Sequence, residues 1–73
     1  MRNETLLQNI AMKIKEKRLQ LGLSQEKLAY KVGIDRKYAS QIEKGNVNIS
    51  ILVLSKVCYG LGISLSDFFK EIE

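Results

Sequence analysis

Gly22, Gly33, Gly45, Gly60 and Gly62 punctuate a chain that contains no proline. Glycine takes the left-handed conformation that ends a helix at little cost, so this spacing predicts a series of short helices. No β-alternation of useful length competes with that reading. Helix 1 is predicted from near Thr5, with Gln8 placed for a capping box, and carries Leu6, Ile10, Ile14 and Leu21 inward as far as Gly22. Lys13, Lys15, Glu16 and Lys17 form its other face. Ser24 then caps a helix over about 25–32 whose Leu28, Ala29 and Val32 face a core. Asp35 caps a third helix in which Ala39 and Ile42, spaced i, i+3, are the only apolar anchors. Asn48 or Ser50 starts a fourth, running to about Leu61, with Ile51, Leu54, Val57, Cys58 and Leu61 as its stripe. Leu52 and Tyr59 point the other way. Ser64, with Asp67 three residues on, caps a last helix whose Leu65, Phe68, Phe69 and Ile72 share a face.

Seventy-three residues make one domain, 1–73, and so short a chain buries only about 60% of its unfolded surface. Small scaffolds make up the deficit with disulfides, metal or a partner subunit. One cysteine and no histidine leave the partner subunit, here a second copy of the chain. Cys58 falls on an apolar stripe with no histidine to activate it, and a small helical domain offers no deep cleft, so the chain reads as a non-enzyme. No cofactor, metal or small-molecule ligand is expected. Nothing resembles an export signal or a membrane span, which makes the expected location cytoplasmic.

The net charge of +4 is unevenly spread. Residues 1–45 hold ten Lys or Arg against five Asp or Glu, and residues 46–73 hold two against three. The front of the chain is therefore suited to a polyanion, with a merely solvated basic face as the alternative.

Helix, glycine turn, helix over about 24–44 has the layout of a helix-turn-helix, and the surrounding residues carry a resemblance. "KRLQLGLSQEKLAYKVGIDRKYASQIEKG" resembles the DNA-binding domains of the lambdoid phage repressor and Cro family. "DRKYASQIEKG" is similar to the controller proteins of restriction-modification systems, and "LSKVCYGLGISLSDFF" to the fourth and fifth helices of the same family. The resemblance implies an all-α, five-helix, lambda-repressor-like DNA-binding domain, with helices 2 and 3 as the motif. It implies a regulator of transcription that binds a palindromic operator in double-stranded DNA as a homodimer, without a membrane. Carried over by position, Arg36, Lys37 and Gln41 reach base edges. Gln25, Tyr38, Ser40, Asn46 and Asn48 touch phosphate. Arg18 and Glu43 form a structural ion pair beneath the motif. The sequence departs from the family at Val47 and Ile49, where many relatives have basic residues or proline, so Asn46 and Asn48 inherit the loop's contact.

Physical chemistry supports the same placement. A helix that enters the major groove by its amino end needs long donors in its first turn and at i+4, where Arg36, Lys37 and Gln41 stand. Asp35 is its cap rather than a base contact, since a carboxylate facing phosphate is repelled. Structural alternatives exist for some of these residues: Tyr38 packing on Ile34, and Gln41 standing in solvent. Sparse charge and surplus apolar residues in the helices over about 49–72 point to dimerisation through Leu52, Tyr59, Leu65, Phe69 and Ile72. The rival function is a protein-interaction module of the same fold, such as an antitoxin or regulatory partner. Salt-dependent, sequence-selective binding to duplex DNA discriminates the two.

Overall fold

The computed structural model describes residues 3–72. Five α-helices make up the regular structure among them: α1 Asn3–Gln20, α2 Gln25–Val32, α3 Arg36–Glu43, α4 Ile51–Leu61 and α5 Leu65–Ile72. The chain is all-α, with α2 and α3 forming a helix-turn-helix. Three of the starts are serine caps. Ser24 Oγ accepts from Lys27 N at 3.1 Å, Ser50 Oγ from Val53 N at 3.1 Å and Ser64 Oγ from Asp67 N at 3.0 Å. Each bond satisfies an amide that the first helical turn leaves without a partner.

α1 starts two residues earlier than the sequence pattern suggests. Asn3 opens it, Glu4 suits the positive end of its dipole, and Thr5 lies within its first turn rather than capping it. Gln8 accordingly makes no capping box. Its side chain lies over the loop instead, where a Cβ added to Gly45 would approach Gln8 Nε2 to 2.8 Å.

The core lies where all five helices converge, and Phe68, Ile14, Leu28, Leu54, Val57 and Cys58 are its largest fully buried side chains. Ile10, Ile42 and Leu61 complete the buried apolar cluster. Phe68 reaches this cluster because α5 folds back at 94° to α4. No single helix among the described residues is long and apolar enough to cross a membrane.

Two expected core positions lie outside. Leu21 follows the end of α1, so the helical phase no longer turns it inward, and Leu23 from the turn packs on the core instead. Ile51 is the first residue of α4 and is exposed, one turn before Leu54 enters the packed region. Val47 and Ile49 account for the unusual loop: both turn inward and pack against the cluster.

Gly60 does not end a helix. It is a buried interior residue of α4, and Gly62, in the left-handed region at φ 73°, is the cap. A Cβ at Gly60 would stand 2.3 Å from Val32 Cγ1, so the missing side chain is what lets α4 approach α2 so closely.

Candidate nucleic-acid interface

The geometry of the motif follows from a few small residues. Gly33 adopts φ 76°, ψ 35°, and its amide donates to Ala29 O while Ile34 N donates to the same carbonyl at 3.0 Å. Ala29 and Ala39 are buried where α2 and α3 meet. With Ala39 and Ile42 turned inward, α3 presents Arg36, Lys37 and Lys44 to solvent and Ser40 and Gln41 at the margin. Tyr38 is half-buried and packs against the core, so its position is partly structural.

Arg36 and Lys37 stand at the amino end of α3, where the helix dipole disfavours a cation by roughly 0.3–1 kcal/mol. Neither contributes to the core. Asp35 caps this end, with Oδ2 accepting from Lys37 N at 2.9 Å and Tyr38 N at 3.3 Å, and so keeps the helix start ordered beneath two long basic side chains.

The other end of α3 is fixed from below. Arg18 Nε donates to Glu43 Oε2 at 2.7 Å and Arg18 Nη2 to Glu43 Oε1 at 3.0 Å, and the two side chains are 8% and 3% exposed. Arg18 Nη1 also donates to Leu23 O at 2.6 Å. The guanidinium therefore ties α1 to the turn before α2 and to the last residue of α3. Gln25 joins the same network, its Nε2 donating to Glu43 Oε1 at 3.2 Å. One amide hydrogen of Gln25 is thus committed and the other remains to be given away. Among the described residues no buried side-chain nitrogen or oxygen lacks a partner, as a buried charge network requires.

Asn46 and Asn48 are exposed in the loop after α3. Asn46 Nδ2 donates to Gln41 Oε1 at 3.2 Å, a contact that engages the Gln41 carbonyl and leaves its amide donors out of it. Gln25, Arg36, Lys37 and Ser40 line one shallow polar depression together with Asp35, while Gln41, Asn46 and Asn48 continue the face along α3 and its loop. Two contacts had no sequence signal, because each joins side chains on different helices. These are Gln25 with Glu43, and Arg36 Nη1 with Glu26 Oε2 at 3.4 Å.

The apolar residues expected at the dimer interface divide. Leu52 and Tyr59 on α4 are 69% and 87% exposed. Leu65, Phe69 and Ile72 are half-buried against the protein's own core, because α5 needs its apolar face to close over the cluster around Phe68. Cys58 is buried, and that burial pushes its thiol up to about 11, far from a reactive thiolate.

Fold and face together define a helix-turn-helix protein. The helix-turn-helix family matches residues 14–68, and the chain belongs to it. Its relatives include the control protein C.MunI of Mycoplasma sp, 49% identical over 51 residues, which span 70% of this chain and 69% of the relative. The HTH-type transcriptional regulator YgzD of Bacillus subtilis (strain 168) is 40% identical over 57 residues, 78% of this chain and 86% of that protein. Among solved structures, the restriction-modification controller protein C.Esp1396I, as a tetramer in complex with its natural 35 base-pair operator, superposes with a TM-score of 0.86 at 40% identity. That match covers 92% of this chain and 88% of the other.

Proposed function

We propose that the chain is a sequence-specific, double-stranded-DNA-binding regulator of transcription of the controller kind, acting as a homodimer on an operator with inverted half-sites. One observation carries this: the exposed amino end of α3 presents Arg36 and Lys37 beside Gln25 on a motif held by a buried ion pair. Helix docking in the major groove calls for donors at that end. Arg36, Lys37 and Gln41 read base edges. Gln25 gives its free amide hydrogen to phosphate at the amino end of α2, where the dipole favours an anion. Ser40, Asn46, Asn48 and the hydroxyl of Tyr38 serve the backbone on either side. The exposed Leu52 and Tyr59 on α4 meet the second copy, with Leu65, Phe69 and Ile72 supporting that surface from beneath. Such a regulator works in the cytoplasm, where its DNA is.

Selecting bound duplexes from a random pool tests the reading. An enriched inverted repeat, with half-sites about one helical turn apart and affinity falling steeply with salt, is the expected result. Weak, unselective binding overturns it and favours a protein-interaction module built on the same motif.

A further inference from the structure

Among the described residues, three carboxylates lie at or under the candidate DNA face, and two are accounted for. Asp35 caps α3, and Glu43 lies in the buried network. Glu26 is the third. It stands in the first turn of α2, is largely exposed, and its Oε2 lies 3.4 Å from Nη1 of Arg36, the first residue of α3. A carboxylate beside a phosphate-binding surface opposes association, and the helix dipole alone would favour it equally at a first-turn position turned away from that surface. Arg36 also needs an anchor. It is exposed, carries several rotatable bonds, and among the described residues begins α3 with no other side-chain hydrogen bond. A guanidinium reads guanine through two parallel N–H donors in a fixed plane, so its discrimination depends on how well that plane is held.

We infer that Glu26 is a positioning residue for base reading: its carboxylate orients the Arg36 guanidinium and restrains it from indiscriminate contact with phosphate. The inference rests on the proposed DNA-reading role of α3. Glu26 engages Nη1 of the guanidinium and, among the described residues, leaves its other N–H groups without a side-chain partner. The same negative charge weakens binding to every duplex alike. It thereby lowers affinity in general while sharpening preference at the one base pair that Arg36 reads.

The test uses the duplex that the parent protein enriches from a random pool, together with every single-base-pair substitution of it. Affinities are measured for the parent, Glu26→Gln, Arg36→Ala and the double variant. Glu26→Gln should raise affinity for all the duplexes. It should also reduce the preference by roughly two- to fivefold, the scale of an exposed ion pair, only at the position whose preference Arg36→Ala abolishes. In the Arg36→Ala background, Glu26→Gln should change no preference. A second arm reads the free protein: among the arginine side-chain Nε–H signals in a nitrogen-15 NMR spectrum, Glu26→Gln should move that of Arg36 and leave that of Arg18 in place. If the parent enriches a duplex but Glu26→Gln alters all affinities uniformly and leaves every preference intact, this inference fails and the DNA-reading role stands. If the parent enriches nothing, both fall.

Discussion

Arg18 and Glu43 meet through two hydrogen bonds of 2.7 and 3.0 Å although they are 25 residues apart in sequence, with side chains 8% and 3% exposed. Taking both charges out of water is costly, and the return comes from the paired geometry together with the further bonds to Leu23 O and from Gln25. Removing one partner strands the other charge, at a cost of about 3–5 kcal/mol. A domain of this size is stable by only about 5 kcal/mol, so Glu43→Ala should leave it largely unfolded. Arg18→Met and Glu43→Leu should each melt far below the parent, and the double variant should recover much of the loss. Small, additive effects in thermal melts would contradict this account.

Gly60 gives the second stability prediction. By propensity alone alanine should improve an interior helical position by about 1 kcal/mol over glycine. The Cβ would meet Val32 Cγ1 at 2.3 Å, however, and a β-branched side chain has little rotamer freedom with which to retreat. The clash wins, and Gly60→Ala should destabilise by about 1–3 kcal/mol, the range for overpacking. Combining it with Val32→Ala should cost less than the two single changes added together. Urea titrations of the three variants would show whether that coupling exists.

What the sequence disclosed and what it withheld divide along physical lines. Helix number, the serine caps and the α2–α3 turn were legible because each depends on neighbours within four residues. Leu21 and Ile51 depart from the apolar pattern because periodicity does not mark where a helix leaves the packed region. Gly60 resembles punctuation, since a glycine that ends a helix and one that admits a second helix look alike in one dimension. Thr5 resembles a start because cap-forming residues also occur inside first turns. At the candidate site, Arg36, Lys37 and Gln41 followed from the motif. Contacts such as Glu26 to Arg36 and Gln25 to Glu43 exist only once α2 and α3 are packed.

The contact between α1 and α5 should make stability depend on acid pH. Lys17 Nζ lies 2.9 Å from Glu71 Oε1, and that hydrogen bond, partly opposed by burial, holds the Glu71 carboxyl below its ordinary 4.5. A carboxyl with a depressed folded-state pKa contributes stability above its unfolded value and loses that contribution as pH falls through the folded one. The parent should therefore melt above Glu71→Gln at neutral pH, and the gap should close as pH drops below about 4.5. Melting curves collected from neutral pH down to about pH 3 would reveal a gap independent of pH, if the contact contributes nothing.

Dimerisation through α4 predicts a localised sensitivity. Tyr59 and Leu52 are 87% and 69% exposed and contribute little to the core, so charging them should leave the fold intact. Tyr59→Asp and Leu52→Asp should melt close to the parent yet sediment as monomers at concentrations where the parent is a dimer. Charging Phe69 should instead destabilise the fold itself, because that side chain packs on the core. A parent that is monomeric at high micromolar concentration, or variants that remain dimeric, would remove α4 as the interface.

The division of labour on the DNA face yields the last prediction. Lys37 is exposed at the amino end of α3, and Gln41 lies one turn on, its carbonyl held by Asn46 and its amide donors outside that contact. A lysine in this position suits guanine O6 and N7 and a glutamine suits adenine, each worth about 1–3 kcal/mol of discrimination. Gln25, assigned to the DNA backbone in the proposed reading, should carry no sequence information. Lys37→Ala and Gln41→Ala should therefore flatten base preference at defined operator positions, whereas Gln25→Ala should weaken every duplex alike. Salt dependence checks the Gln25 assignment. Gln25 is neutral, so its loss should leave the slope nearly unchanged, whereas loss of a phosphate-neutralising cation would lower it by roughly 0.9. Gln25→Ala also takes one donor from Glu43, but both Arg18 bonds remain, so the melting point should fall only slightly. Binding profiles of the three variants across a library of operator mutants provide the measurement. Parental base preferences in both Lys37→Ala and Gln41→Ala would mean that α3 does not read DNA.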